Sequence, residues 1–299
     1  MPRPYALLDV FTTTPLAGNP LAIVSDAADL TDTQMQAIAK EFNLSETVFI
    51  TKPLDKNNHI TIRIFTPVYE MPFAGHPIIG TACYLAMQNE TVRNSQPITL
   101  HVPLGPVPSD ITVDASGIIK ARLTAPQSPK KLPLSADQET IAAALSISAD
   151  EIAFGGFTPT KFDSGVPYTC VPLKSRAALA KAKPALSHWT DAFGTHSHND
   201  AYVFTNETDN PAADYSVRMF APYGGATEDP ATGSAAVAFA GVLADQAPRK
   251  KPQSILLEQG NDMGRPSLIQ LEFQIDNTIA RNVTIGGSSV LLIEGMLYQ

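Results

Sequence analysis

Short apolar runs set between turn-forming residues dominate this chain. "YALLDVF", "LAIV", "ETVFI", "ITIRIFT", "PITLHV" and "ITVD" in the first part, and "IIKARLT", "YTCVPL", "AYVFT", "YSVRMFA", "SILLEQG" and "SLIQLEFQI" farther on, alternate or run apolar with β-branched residues. That pattern predicts strands. Helical spacing appears where Thr31-x-x-Gln34 stands as a capping box before Met35, Ile38, Ala39 and Phe42, and where Ser135-x-x-Gln138 precedes "TIAAAL". These read as outer helices. Two other stretches, "IIGTACYLAM" and "ATGSAAVAFAGVL", are small or apolar on every side, and a helix without a polar face is a buried one. Proline suits the first helical position, where its missing N–H costs nothing. Pro77 and Pro230 at that position place His76 and Asp229 at the two N-caps.

The two buried helices belong to a longer repeat. His76-Pro77-x-x-Gly80-Thr81-Ala82 matches Asp229-Pro230-x-x-Gly233-Ser234-Ala235 at one offset (229 − 76 = 153). Upstream, "RIFTP" at 63–67 matches "RMFAP" at 218–222, and "GNPLAIV" at 18–24 matches "GVPYTCV" at 165–171. Three blocks in the same order indicate two homologous halves. The expected fold is α+β, each half a strongly curved, mostly antiparallel sheet wrapped around its central helix. Residues 1–117 with closing strands from 281–299 form the first half, and 118–280 the second.

Composition narrows the function. At 299 residues, with 44% hydrophobic and 17% charged residues, the chain is long enough for about two cores. A formal charge of −8, with no basic run larger than "RKK" at 249–251, excludes a nucleic-acid footprint. No apolar run reaches the roughly 20 residues of a membrane span, and no signal-peptide core is visible, so the cytoplasm is the expected compartment. Two cysteines, Cys83 and Cys170, make no disulfide framework and no metal spacing. "HSH" at 196–198 lacks a third ligand and reads as surface, as do His59 and His101. Neither a metal nor an organic cofactor is expected.

The first turn of a helix offers unpaired N–H groups and a positive dipole end, which together favour anions. If the halves pack about a pseudo-twofold axis, both helix starts face one cleft suited to a small anionic metabolite. Each candidate also has a plainer reading. Asp229 is a favoured cap, Glu228 beside it favours the dipole, Ser234 and Thr81 suit back-bonding within their helices, and Glu46 suits a solvated strand start.

The blocks "DVFTTTPLAGNPLAIV", "FNLSETVFI", "RIFTPVYEMPFAGHPIIGTA", "EDPATGSAA" and "IGGSSVLLIEG" together resemble the signature of the phenazine-biosynthesis PhzF family, from about residue 5 to the C-terminus. The resemblance implies the diaminopimelate-epimerase-like fold with the active site between the halves, and a homodimer. It makes Glu46 the general acid/base and adds His76, Asp229 and Ser234 to the catalytic set. Gly75, Gly233 and Asn19 form the substrate-binding set, with backbone N–H groups near both helix starts holding a substrate carboxylate. The implied reaction is isomerisation of a dihydro-hydroxyanthranilate-like compound, a proton moving between carbons without a cofactor. Epimerases of this fold use two cysteines at the helix starts, where this chain has His76 and Asp229. Two alternatives stand beside it: a racemase or epimerase using Glu46 and Asp229 in place of thiols, and a binding protein without catalysis.

Overall fold

The structure, a computed structural model, describes residues 2–94, 97–194, 200–224, 226–247 and 253–298. Its chain divides into two compact units, residues 1–126 with 285–299, and residues 127–284.

In the first unit β1 (Arg3–Val10), β2 (Asn19–Val24), α1 (Asp32–Phe42), β3 (Glu46–Lys52), β4 (His59–Phe65) and β5 (Glu70–Met71) lead to α2 (Gly75–Gln88). After it come α3 (Glu90–Asn94), β6 (Ile98–Val102), β7 (Gly105–Val113) and β8 (Ile119–Thr124). Going round the sheet, β1–β2 is antiparallel, β2–β3 parallel, β3–β4 antiparallel, β4–β6 parallel, and β6–β7 and β7–β8 antiparallel. The last strand, β17 (Ile279–Leu297), pairs with both β1 and β8, so eight strands close into a barrel. Helix α2 packs on β1, β2, β3, β7 and β8. Every residue from Gly75 to Cys83 is buried, as its lack of a polar face requires.

The second unit repeats this plan. It runs β9 (Lys130–Leu132), α4 (Gln138–Ala144), β10 (Thr160–Asp163), β11 (Pro167–Pro172), α5 (Arg176–Lys181), α6 (Leu186–Phe193) and β12 (Asp200–Thr205). It continues through β13 (Tyr215–Ala221), β14 (Ala226–Asp229), α7 (Gly233–Gln246), β15 (Gln253–Gln259) and β16 (Ser267–Asp276). β10–β11 is antiparallel, β11–β12 parallel, β12–β13 antiparallel, β13–β15 parallel and β15–β16 antiparallel, the same sequence of senses as β1 to β7. The short β14 sits antiparallel on β13 as β5 sits on β4. Helix α7 is buried from Gly233 to Ala244 and packs on β9, β10, β11 and β16.

Small residues explain how close each helix lies to its sheet. A methyl group on Gly80 would stand 2.5 Å from Leu21 Cδ2, and one on Gly241 would stand 2.4 Å from the Phe162 ring. Neither contact is tolerable without a shift, so glycine is what allows the approach. Outside the strands, Met35, Ile38 and Ala39 of α1 bury against Val24, Phe49 and Phe65. In the second unit α4, α5 and α6 cover a separate cluster around Trp189, Ile141 and Leu179.

Several local expectations change. The Thr31–Gln34 capping box forms as read, Gln34 N–H donating to Thr31 Oγ1 and Thr31 N–H to Gln34 Oε1. Helix α4 is instead capped by Asp137, whose carboxylate accepts from Thr140 N–H at 2.9 Å, because aspartate one residue before Gln138 already fills the cap. The first unit extends to residue 126 rather than 117. The reason is the β7–β8 hairpin, in which Ile119 to Leu123 pair with Val113 to Ser109, so "IIKARLT" closes the first sheet instead of opening the second. The "HSH" and "RKK" segments lie outside the described residues.

Candidate active site

Both units carry the same clamp, and it fixes which residues correspond. Arg63 on β4 grips Glu70 on β5 through Nε at 2.7 Å and through Nη2, with its guanidinium 5.1 Å above the Phe65 ring. Arg218 on β13 grips Glu228 on β14 at 2.8 Å twice, 4.7 Å above Phe220. Helices α2 and α7 then begin at Gly75 and Gly233. Glu70-Met71-Pro72-Phe73-Ala74-Gly75-His76 therefore corresponds to Glu228-Asp229-Pro230-Ala231-Thr232-Gly233-Ser234, an offset of 158 (228 − 70 = 158). The offset of 153 read from the helix motif is five residues out of register (158 − 153 = 5). Small, repetitive helix residues match themselves at a shifted register, whereas the ion-pair clamp does not.

This register moves two candidates off the caps. The N-caps are Ala74 and Thr232, both extended and neither with a side chain accepting from the first helical turn. His76 is the second residue of α2, and Pro77 the third. Asp229 ends β14 and Pro230 lies before the helix. His76 thus corresponds to Ser234, and Asp229 to Met71. Glu228 is no helix-dipole partner: it is held by Arg218, whose Nη1 also donates to the carbonyls of Leu179 and Ala182 at the end of α5.

The first unit brings together Asn19, Glu46, Gly75 and His76. Asn19 opens β2, Glu46 opens β3, and the parallel register setting Leu21 beside Glu46 puts both strand starts at the same edge. His76 Nδ1 lies 3.2 Å from Asn19 Nδ2 and 3.4 Å from Glu46 Oε2. The side chain is only 3% exposed, and burial pulls its pKa from 6.5 down to about 3. The histidine–glutamate approach has ion-pair distance, but the desolvation cost of a cation there outweighs it. His76 is neutral at neutral pH, with one ring nitrogen to accept and one to donate. Its Nε2 is buried without a hydrogen-bond partner among the described residues. Thr81 takes the structural reading, donating to the Pro77 carbonyl at 2.7 Å.

The second unit gathers Asp229, Gly233 and Ser234 with residues the sequence did not single out. Ser234 Oγ lies 2.7 Å from the Tyr168 hydroxyl, and the Ser234 carbonyl accepts from Ser164 at 2.8 Å, so this serine does not back-bond. Thr232 donates to Asp229 Oδ2 at 2.5 Å. Gln259, at the end of β15, receives the Thr232 N–H at 3.0 Å and donates to the Asp229 carbonyl at 2.8 Å, clamping the turn into α7. Asp200, the first residue of β12, is buried. Its burial and then the charge of Asp229 raise its pKa from 3.8 to about 8, against the opposing pull of Lys161. The available signal for Asp200 was an acid opening an apolar strand, as in "ETVFI". Tyr168 and Gln259 carried none.

Cys83 and Cys170 are free and fully buried, and burial raises both thiols, Cys83 to about 11. Neither is a thiolate nucleophile. His59 and His101 pair with ring centres 5.0 Å apart and planes tilted by 52°, His101 Nε2 lying 3.3 Å from His59 Nδ1. Among the described residues no group of three or more His, Cys, Asp or Glu is arranged to hold a metal ion, and no helix is long and apolar enough to cross a membrane.

Over residues 8–295 the chain matches the phenazine biosynthesis-like protein family, PhzC-PhzF. It belongs to that family. An uncharacterised isomerase of Mesorhizobium japonicum is 40% identical, with 99% of each chain covered. The trans-2,3-dihydro-3-hydroxyanthranilate isomerase of Pseudomonas chlororaphis is 34% identical over 98% of each. Among solved structures, the Bacillus anthracis phenazine biosynthesis protein of the PhzF family superposes with a TM-score of 0.88 at 22% identity, covering 100% of both chains, and so shares the fold. With relatives named as isomerases at this identity, this PhzF-family chain is an isomerase.

Proposed function

We propose that this PhzF-family isomerase moves a proton between carbons of a small, carboxylate-bearing cyclic or enol substrate related to trans-2,3-dihydro-3-hydroxyanthranilate, without a cofactor. The observation that carries this is the Glu46–His76–Asn19 group: a carboxylate beside a buried, neutral imidazole at a helix start that has no side-chain cap and no acid in its first turn. Glu46 takes the proton from carbon, the electron pair left behind shifts the double bond, and Glu46 returns the proton to the second carbon. No oxidant or reductant enters. His76 and Asn19 orient the glutamate, and N–H groups at Gly75 and His76 favour the substrate's negative charge. Asp229 and Ser234 of the second unit are also required for turnover, and Gly233 beside them binds substrate. The same reading carries a cytoplasmic homodimer, supported by two free thiols and by Ile293 and Met296 exposed on β17 and Tyr298 exposed just after it.

The test is incubation with trans-2,3-dihydro-3-hydroxyanthranilate in heavy water, following deuterium at carbon by NMR. Glu46→Gln should slow exchange by at least about a hundredfold, the low end for a general acid/base. A folded Glu46→Gln variant that binds the compound and exchanges at the parent rate removes Glu46 from the mechanism.

A further inference from the structure

The repeat that aligns the clamps also aligns two acids. In "GNPLAIV" and "GVPYTCV" Leu21 corresponds to Tyr168 (168 − 21 = 147). Leu21 stands beside Glu46 in the parallel pair β2–β3, and Tyr168 beside Asp200 in the parallel pair β11–β12. Asp200 is therefore the second unit's counterpart of Glu46, reached by the same strand crossing.

Its surroundings follow from the sheet. Asp200 and Tyr202 share one face of β12, Tyr202 lies opposite Met219, and Met219 lies opposite Asp229. That face meets α7, because Tyr202 packs on Phe239 with ring centres 5.9 Å apart and Tyr168 reaches Ser234. Asp200 and Asp229 thus stand on the same buried surface, next to the start of α7. Among the described residues, the titratable groups around Asp200 are Asp229 on β14, Lys161 on β10, Tyr168 on β11 and Tyr202 on its own strand. Asp229 accepts from Thr232. Burying a second anion beside it is unfavourable.

We propose that Asp200 is kept as the neutral acid on the buried face it shares with Asp229, so that the second unit presents an acid proton and no more than one negative charge there at neutral pH. This rests on the proposed function only for its consequence, that an anionic substrate is accepted. Ionising Asp200 adds a second charge that repels such a substrate. The loss then appears in KM rather than kcat, above the pH at which Asp200 titrates, near 8.

Carbon-13 labelling of aspartate carboxyls gives a readout independent of activity. The parent protein should show one carboxyl signal titrating near pH 8, absent in Asp200→Asn and shifted to lower pH in Asp229→Asn. Because the parent alone reports that titration, a variant that fails to fold does not hide the answer. In kinetics with trans-2,3-dihydro-3-hydroxyanthranilate, the parent's KM should rise at least about fivefold from about pH 7 to about pH 9, while Asp200→Asn shows no such rise. No carboxyl titrating above about pH 6 in the parent overturns the proposal, as does an unchanged alkaline rise of KM in Asp200→Asn. An absence of exchange by the parent with that compound, alongside the carboxyl titration near pH 8, overturns the proposed substrate and leaves the protonation of Asp200 established.

Discussion

The two units share a scaffold and differ in what stands at the helix start. Strand senses match from β1 to β7 and from β10 to β16, and each unit holds its helix entry with an arginine–glutamate clamp over a phenylalanine. At the second helical residue, however, the first unit has a neutral histidine beside Glu46, and the second has Ser234 bonded to Tyr168. Met71 corresponds to Asp229, so the second unit alone sets two acids on one face. Duplication kept the parts that place a residue and let the residue itself change. Both side chains at that position are buried, but each is bonded to a different partner, His76 to Asn19 and Ser234 to Tyr168.

The largest expected difference lies in acid stability. His76 has a folded pKa of about 3 against 6.5 when unfolded. The unfolded chain therefore binds the proton first, and stability is lost as pH falls below about 6.5. Fully developed, the loss is roughly 5 kcal/mol. Ser234 has no such dependence, so His76→Ser, which gives the first unit the second unit's residue, should flatten the acid limb. Denaturant unfolding at several pH values between neutral and about pH 4 measures this, and parallel curves for parent and variant would rule out a buried neutral His76.

Next in size comes the clamp. Arg218 and Glu228 side chains are 9% and 17% exposed, while Arg63 and Glu70 are 25% and 29% exposed and Arg63 also has Asp32 at 2.6 Å. Glu228→Gln leaves a nearly buried guanidinium with Asp262 Oδ2, 3.7 Å from its Nε, as its next carboxylate and should cost about 3 kcal/mol, whereas Glu70→Gln should cost about 1 kcal/mol or less. Equal losses in chemical denaturation would mean that burial does not distinguish the two clamps.

The smallest effect compares the helix glycines. Gly241→Ala meets the ring of Phe162, and Gly80→Ala meets the flexible ends of Leu21 and Val10. Both overpack, at about 1–3 kcal/mol. Gly241→Ala should be the worse, since a ring wedged against the helix has fewer rotamers to escape to. A thermal melt in which Gly80→Ala loses more would reverse that ranking.

Much of this architecture was legible along the chain. Helices with no polar face had to be buried, strand runs announced themselves by their β-branched residues, and the repeat blocks gave two halves. Asn19, Glu46 and His76 do gather in the first unit, and Asp229 and Ser234 in the second. Roles assigned by cap position did not survive, because Pro77 and Pro230 are equally at home in or before a first helical turn.

The sequence by itself determined most of the longer strands, which helices lie inside, and that the chain is built twice, since these follow from periodicity over neighbouring residues, whereas the short β5, β9, β10 and β14 carried no such pattern. Only the tertiary structure decided the register of the two halves, the partner of Glu228 and the place of Asp200 on one face with Asp229. The physical reason is that a parallel strand pair joins residues far apart in the chain, Tyr168 with Asp200 and Leu21 with Glu46. Burial and charge at such a meeting are properties of the pair of strands, and no window along either one contains them.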